Sequence, residues 1–571
     1  MQSVTSFGIT RSFRRGPRMW RNPGPAEGEP PVAERQRGPL AVPAFRATWA
    51  ASLAGNGALL ILGVGASWAM TELTSSPRLV ALVQSALMLP VMLLSMAAGA
   101  AADMYDRRRV ALAALALASG GAALLAAVTA AGLITPAILL LACFLIGCGV
   151  ALFGPAWQGS AAEQVPQPLV GAAIALNSIS YNVARAGGPA LGGVVVVAGG
   201  PVAAFIAAAI LYLPLAAAFL AWRRIREPSR LPPERLASAI GAGLRYILHA
   251  PAVRALLVRL FVTGLLAGSL SGLMPLLARD RLGGGAGVFG LMLGIIGAGA
   301  LIGAVLAGWL RRRFSNEWLV RAGTVTTGFA YLIVALSHTL WLTAPALLAL
   351  GAAWMVFVTV MNIGVQLLVP RWVAGRALAG YQAAIMGGLA LGNWIWGQFA
   401  GAVGVPQALA LSGVATIAAV ALGRWLPMPR DALVTEGSGL ASPPVALALT
   451  SRSGPIAVEI TYGVDPADAR AFYTAMQQTR LIRKRNGAFD WSISRDVASP
   501  EIWLERYHYP TWADYLRQRD RRTADEEEFE RDVLARLVRE GPEVRRWLER
   551  PFGSVRWQED TPDPGQAGAV V

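Results

Sequence analysis

The sequence predicts an all-α polytopic membrane protein, with twelve transmembrane helices in two six-helix halves, followed by a small α+β soluble domain. Three observations predict it. Hydrophobic residues make up 55% of the 571 residues and charged residues only 15%, whereas soluble globular chains carry roughly a quarter charged residues. The deficit is confined to 48–426, where short charged clusters separate apolar runs. These runs are ~20 residues long, enough to cross a hydrocarbon core of about 30 Å at about 1.5 Å per residue. Beyond Leu426 the chain turns Pro/Ser/Gly-rich and then takes up the patterning of a soluble domain. Lipid offers a backbone no water to bond, so the apolar runs must be helices.

Residues 1–44 are basic and Pro/Gly-rich, without the apolar stretch of a secretory signal, and read as a disordered cytoplasmic tail. Twelve apolar spans follow, at 47–70, 79–102, 109–131, 136–158, 169–198, 201–222, 253–278, 286–310, 317–337, 340–367, 376–403 and 405–426. A cytoplasmic loop at 224–252 divides them into a first half at 45–223 and a second at 253–428. Both halves place Gly and then basic residues at the end of their second helix, Gly99 to Arg109 and Gly308 to Arg313, the internal repetition of a two-fold-repeat transporter.

Orientation follows from arginine. Arg107, Arg108 and Arg109 leave span two, Arg223 to Arg245 follow span six, Arg311 to Arg313 span eight, and Arg371 and Arg376 span ten. All are exits on one side, so both termini are expected in the cytoplasm of a bacterial inner membrane. The net charge of +16 is accounted for in this way, with the lipid bilayer and not nucleic acid as partner. The single lysine, Lys484, reflects composition bias.

The two cysteines, Cys143 and Cys148, lie five apart in span four and read as packing residues. No metal cluster, cofactor motif or catalytic constellation is expected, and the absence of GxxxxGK[ST] argues against direct ATP drive. After a linker at 429–453, the soluble domain at 454–560 reads as strand (Pro455–Tyr462), helix (Asp465–Arg485), strands (Ala488–Ile493 and Ile502–His508) and helices (Trp512–Arg519 and Ala524–Arg539). This order is compatible with a ferredoxin-like fold lacking an evident last strand. Residues 561–571 read as a disordered tail.

Span five carries the most informative constellation. At about 100° per residue, Asn177, Tyr181, Arg185, Gly188 and Gly192 share one arc of about 80°. Its glycines, with Gly193, permit close helix approach, and Pro189 removes a backbone bond and offers a bend. Arg185 stands near the bilayer midplane, where a charge costs about 2.5–3.5 kcal/mol, so it is expected to face the bundle interior. A structural arginine bonded to carbonyls is the competing reading. Asn56, Asn362, Gln366 and Asn393 are further candidates for the substrate cavity, each against the reading of an interhelical hydrogen bond. Arg254 and Arg259 are expected to snorkel. Asp and Glu occur only at span ends, among them Glu72, Asp103, Glu163 and Glu317, which weakens a buried-acid coupling mechanism.

The stretch Gly99-Ala-Ala-Ala-Asp103-Met-Tyr-Asp106-Arg107-Arg108-Arg109-Val110 resembles motif A of the major facilitator superfamily, with Asp106 in place of the usual Gly. That departure is similar to the branch holding the enterobactin exporter and the transmembrane secretion effectors. Phe45-Arg46 through Asn56-Gly57, Gly154-Pro155 through Asn182 and Arg185 to Gly193, and Gly375-Arg376 also resemble this branch. The segment Gly188-Pro189-Ala-Leu-Gly192-Gly193 resembles motif C of exporters. Arg483 to Trp491, and Glu505-Arg-Tyr-His508 with Trp512 to Gln518, resemble the branch's extension, whose fold is similar to antibiotic-biosynthesis monooxygenases. Tyr515 stands where the family more often has His.

The resemblance implies a secondary-active exporter of a drug, siderophore or secondary metabolite, proton-coupled, with Glu72 the best coupling candidate present. It also implies a motif A latch. Asp103 would meet a helix N-terminus, and Arg107 and Arg108 would pair with acids on neighbouring cytoplasmic ends. Plain topogenic charge is the alternative. Competing functions are an importer and a membrane-anchored oxidising enzyme using His508, Trp491, Trp512 and Tyr515. The soluble domain is otherwise expected to regulate or to dimerise. Arg185 without an acid at its depth points to neutral-to-anionic aromatic cargo.

Overall fold

The structure, a computed structural model, describes residues 38–222, 236–428, 445–447, 449–450, 452–520 and 523–549. The expected tails lie outside the described residues, apart from residues 38–44, as does most of the linker. The membrane part contains α1 (Pro43–Leu73), α2 (Pro77–Met104), α3 (Arg107–Ala130), α4 (Pro136–Gln164), α5 (Val170–Ala221), α6 (Leu236–His249), α7 (Pro251–Leu276), α8 (Ala286–Arg313), α9 (Asn316–Leu336), α10 (Leu340–Leu367), α11 (Arg371–Val403), α12 (Val405–Ala418) and a last turn α13 (Leu422–Trp425). Proline stands in the first turn of α1, α2, α4 and α7, where its missing N–H costs nothing. Side chains of Asp106, Thr135 and Ser315 cap α3, α4 and α9 by accepting from the N–H groups of Arg108, Ile138 and Trp318.

Ten stretches of the described residues are long and apolar enough to cross a membrane. One of them contains all of α5, whose 52 residues would reach about 78 Å if straight, more than twice a hydrocarbon core. The helix is broken at Gly199 and Gly200, the latter at φ 68° and ψ −173°, a conformation open only to glycine. Pro201 then opens the second segment. The break lies here and not at Pro189, where a bend was expected. α11 adds 33 apolar residues whose only charges are Arg371 and Arg376.

The helices pair in a repeating scheme. α1 packs along α5, α2 along α4, and α3 along α4 and the second part of α5. In parallel, α7 packs along α11, α8 along α10, and α9 along α10 and α12. The two groups join through α2 with α11 and α5 with α8. At the end carrying the α1–α2 turn, here the distal end, they meet closely. A Cβ added at Gly193 would lie 2.7 Å from Gly290, one at Gly272 3.0 Å from Ala81, and one at Gly401 2.7 Å from Arg78. Arg279 donates to the Thr71 carbonyl at 2.7 Å. At the opposite, proximal end, added Cβ atoms at Gly99, Gly154, Gly171, Gly308 and Gly375 would meet nothing within 4 Å.

Two expectations are corrected. The segment 224–252 is not all loop, because it holds α6, whose Ile247 and Gly243 press on Gly380 and Arg376 of α11. The soluble domain also has a last strand. It runs β1 (Ile456–Gly463), α14 (Ala469–Arg485), β2 (Phe489–Arg495), β3 (Ile502–Tyr509), α15 (Trp512–Asp520), α16 (Ala524–Leu537) and β4 (Glu540–Leu548). The antiparallel sheet has the order β2-β3-β1-β4, with Val458 opposite both Tyr507 and Arg546. β4 escapes a pattern search because Gly541, Pro542 and charged residues dilute its alternation. The sheet's inner face packs on α14, where Phe472 meets Tyr462 and Trp503 edge-on.

Candidate functional site

At the proximal end, the loop from Asp106 to Arg109 is tied to its neighbours. Arg107 donates to the carbonyls of Ala102 and Gly159 and pairs with Glu163 at 3.0 Å. Arg108 donates to the carbonyls of Phe219 and Leu220 at 2.8 and 2.6 Å. These are the orphan acceptors at the end of α5, where a cation suits the helix dipole. Arg107 therefore meets an acid, and Arg108 meets none among the described residues. Arg107 thus binds the end of α4 and Arg108 the end of α5, both within the α1–α5 group. The Asp103 side chain lies outside the described residues, and Gly99 faces open space.

The arc predicted on α5 divides in two. Gly188 and Gly192 pack on α1, where added Cβ atoms would lie 3.0 Å from Leu60 and 3.1 Å from Ile61. Gly193 and Pro189 lie against Gly290 of α8. Asn56 is spent on this α1–α5 seam, donating to Ser180 at 3.3 Å, while Ser180 also meets Ser52. Asn393 is fully buried, accepts from Ser271 at 2.8 Å and donates to the Leu389 carbonyl at 2.8 Å. It is buried in the α7–α11 seam.

Tyr181 and Arg185 turn instead toward the α7–α12 group. Tyr381 of α11 lies within electrostatic reach of both, and its hydroxyl bonds Asn362 of α10 and the Val358 carbonyl. Asn362 is held one turn on by the Gln366 amide. One turn back on α5, the Asn177 carbonyl oxygen is buried without a partner. Polar groups from both groups thus converge beside Arg185, which has no carboxylate partner among the described residues. Sequence reasoning missed Tyr381. Its only signal was a phenol beside Gly380 inside an apolar run.

Arg259 is corrected too. It does not snorkel but is 4% exposed, forked onto Glu317 at 2.6 and 3.3 Å, with the Leu426 carbonyl as third partner. Glu317 also accepts from Arg321 and the Met428 N–H, tying α7, α9 and the chain end together. Glu72 is exposed at the end of α1.

In the soluble domain the four residues considered for chemistry do not converge. His508 faces the outer side of the sheet and pairs with Glu549 at 3.2 Å. Trp491 donates to Glu505 at 2.8 Å on the inner side. Trp512 leans on Tyr515, whose hydroxyl accepts from Arg519 and Arg546. Glu505 is fully buried between Arg483, Tyr462 and Trp491. Burial alone would lower the Arg483 pKa, and the Glu505 carboxylate raises it well above its ordinary value, so the guanidinium stays charged. The domain meets the bundle through α6, where Arg485 lies 5.7 Å from the centre of the Tyr246 ring and pairs with Glu526. Burial pushes the Tyr246 hydroxyl up to about 12, against the Arg485 charge, so it stays neutral.

Comparison with known proteins agrees with this architecture. The family described as transmembrane secretion effector matches residues 36–551. The multidrug efflux pump Tap of Mycobacterium tuberculosis is 28% identical over 352 residues, 60% of this chain and 82% of the relative. Tap of Mycolicibacterium fortuitum is 27% identical over 410 residues, 70% of this chain and 95% of the relative. Among solved structures, a bacterial homolog of the human lysosomal transporter Spinster covers 68% of this chain and 97% of its own at TM-score 0.56 and 14% identity. The nucleoside transporter NupG covers 67% and 100% at TM-score 0.56 and 11% identity. Both show a shared fold.

Proposed function

The chain belongs to the transmembrane secretion effector family of major facilitator transporters, and from that premise we propose that it exports a small aromatic molecule, neutral to anionic, by alternating access. The observation that carries the reading is that Arg185 and Tyr181 of one helical group lie within electrostatic reach of Tyr381 of the other, which Asn362 bonds. A charge near the middle of the bundle without an acid beside it gains from an anionic or catechol-like guest. The same groups would be parted and rejoined as the halves rock. Export is supported by the two efflux pumps named above, which the chain resembles over most of their length.

Twelve spans follow if the break at Gly199 and Gly200 divides α5 and α11 is counted, giving six before α6 and six after it. Arginine clusters at the proximal end support the reading in which that end, both termini and the soluble domain lie in the cytoplasm of a bacterial inner membrane. The tight distal and open proximal glycine contacts then describe an inward-facing bundle. Proton drive is the expected energy source, although the exposed Glu72 offers no buried relay. The soluble domain's βαββαβ order and sheet order support a ferredoxin-like fold. Self-association, if it occurs there, would use the outer sheet face, where Trp547 is half exposed.

The test is efflux from cells with and without the gene, across matched aromatic acids, neutral aromatics and lipophilic cations. Gene-dependent loss of the acids from the cell supports the reading. Gene-dependent accumulation, or transport of cations alone, overturns it.

A further inference from the structure

The soluble domain holds a cavity of its own. It has a volume of about 300 Å³ and sits between the inner face of the soluble sheet and the helices over it. Its floor follows from strand alternation, since Val458 and Ile460 of β1, Tyr507 of β3 and Val544 of β4 point the same way. α14 supplies Thr479 and Arg483, and α15 supplies Gln518 and Arg519. The volume is at the low end of small-molecule pockets, and the wall combines an apolar floor with few polar groups, as such pockets do.

Two of those polar groups are nearly buried and face the cavity. Thr479 and Gln518 are each 4% exposed, line the cavity, and make no side-chain hydrogen bond among the described residues. A buried amide or hydroxyl that finds a hydrogen-bond partner gains free energy, so a guest offering one is favoured at this wall. Their neighbours show the contrast, because Arg483 is saturated by Glu505 and Glu530. Charge is also unevenly placed. Arg519 and Arg546 both donate to the one Tyr515 oxygen, at 3.2 and 2.6 Å, and Arg546 reaches no carboxylate among the described residues.

We propose that this cavity is a binding site for a small aromatic acid, distinct from the transport path. The ring would lie on Val458, Ile460 and Val544, the carboxylate would take the place of the Tyr515 oxygen before Arg546 and Arg519, and Gln518 and Thr479 would bond a ring hydroxyl. Three guanidinium groups of the wall, Arg483, Arg519 and Arg546, stand against one lining carboxylate, Glu530, so an anion is favoured over an organic cation.

The test uses the full chain in lipid nanodiscs and the fluorescent probe 1-hydroxy-2-naphthoate, followed by anisotropy. The expected result is saturable binding that 1-naphthylmethylammonium does not displace. Arg546→Gln and Gln518→Leu weaken it at least about tenfold, the scale of a lost charge-assisted or buried bond. The isosteric Thr479→Val weakens it about threefold to tenfold and leaves the packing intact. Arg185→Ala leaves it unchanged. No saturable binding, binding indifferent to all three cavity variants, or binding abolished by Arg185→Ala would each overturn the proposal, the first two leaving a cavity filled with water only and the last placing the probe in the bundle.

Discussion

Three arginines in or beside the membrane part illustrate how differently one residue type is used. Arg259 and Arg107 are bound to acids, and Arg185 is not. Removing Arg185 should therefore change selectivity more than stability. Arg185→Ala is expected to lose efflux of aromatic acids first, while Arg185→Lys keeps part of it, measured as initial rates in cells of equal expression. Removing Arg259 should do the reverse. Arg259→Met removes the bidentate partner of the half-buried Glu317, leaving it Arg321 and the Met428 N–H, and should cost about 3 kcal/mol. A lowered thermal unfolding midpoint in detergent, with unchanged substrate selectivity in the surviving protein, is the expected outcome. The sequence could not separate these cases. All three arginines sit near helix ends or polar neighbours in one dimension, and only the fold brings Glu317, 58 positions away, onto Arg259.

The elements were more legible than the side chains. Apolar runs of bilayer length, prolines in first turns and caps at Asp106 and Ser315 are local signals, and the helices begin within a few residues of where those signals stand. α6 and β4 were not read. α6 is short and lies in the arginine-rich segment between spans, and β4 is broken up by Gly541 and Pro542. The arc on α5 was legible as an arc, but which neighbour each residue would meet was not, since α1, α3 and α8 contact different parts of one helix. Two element-scale predictions follow from glycine geometry. Gly200→Ala forces a side chain into a conformation that costs about 1–3 kcal/mol and should lower stability by that amount, read from the unfolding midpoint. Gly193→Leu places a branched chain where even a Cβ would lie 2.7 Å from the Gly290 backbone. It should wedge α5 from α8 and stop transport while membrane insertion, followed by fractionation, continues.

For the whole molecule, composition alone separated a membrane part from a soluble one, and that division has a direct test. Truncation after Arg430 removes the soluble domain beyond the last span and should leave a chain that still inserts and resists extraction by carbonate. Wholesale degradation of the truncated chain beside a stable intact one would mean that the two parts need each other to fold.

The position of α6 gives that division a mechanical side. A Cβ built at Gly380 of α11 would meet Ile247 of α6 at 2.7 Å and Met96 of α2 at 3.8 Å, so the short helix rests where two members of different groups touch. The next residue back, Tyr246, carries Arg485 of the soluble domain. A rod lying across a seam cannot stay seated on both banks when they part. It must ride with one and lose its grip on the other, and whatever stands on it is tilted each time. Joining Ile247→Cys to Met96→Cys in a chain whose own cysteines have been replaced should halt turnover until the bond is reduced. On this geometry the soluble domain is rocked once per cycle by the floor beneath it, and the pace of transport is passed to it as movement.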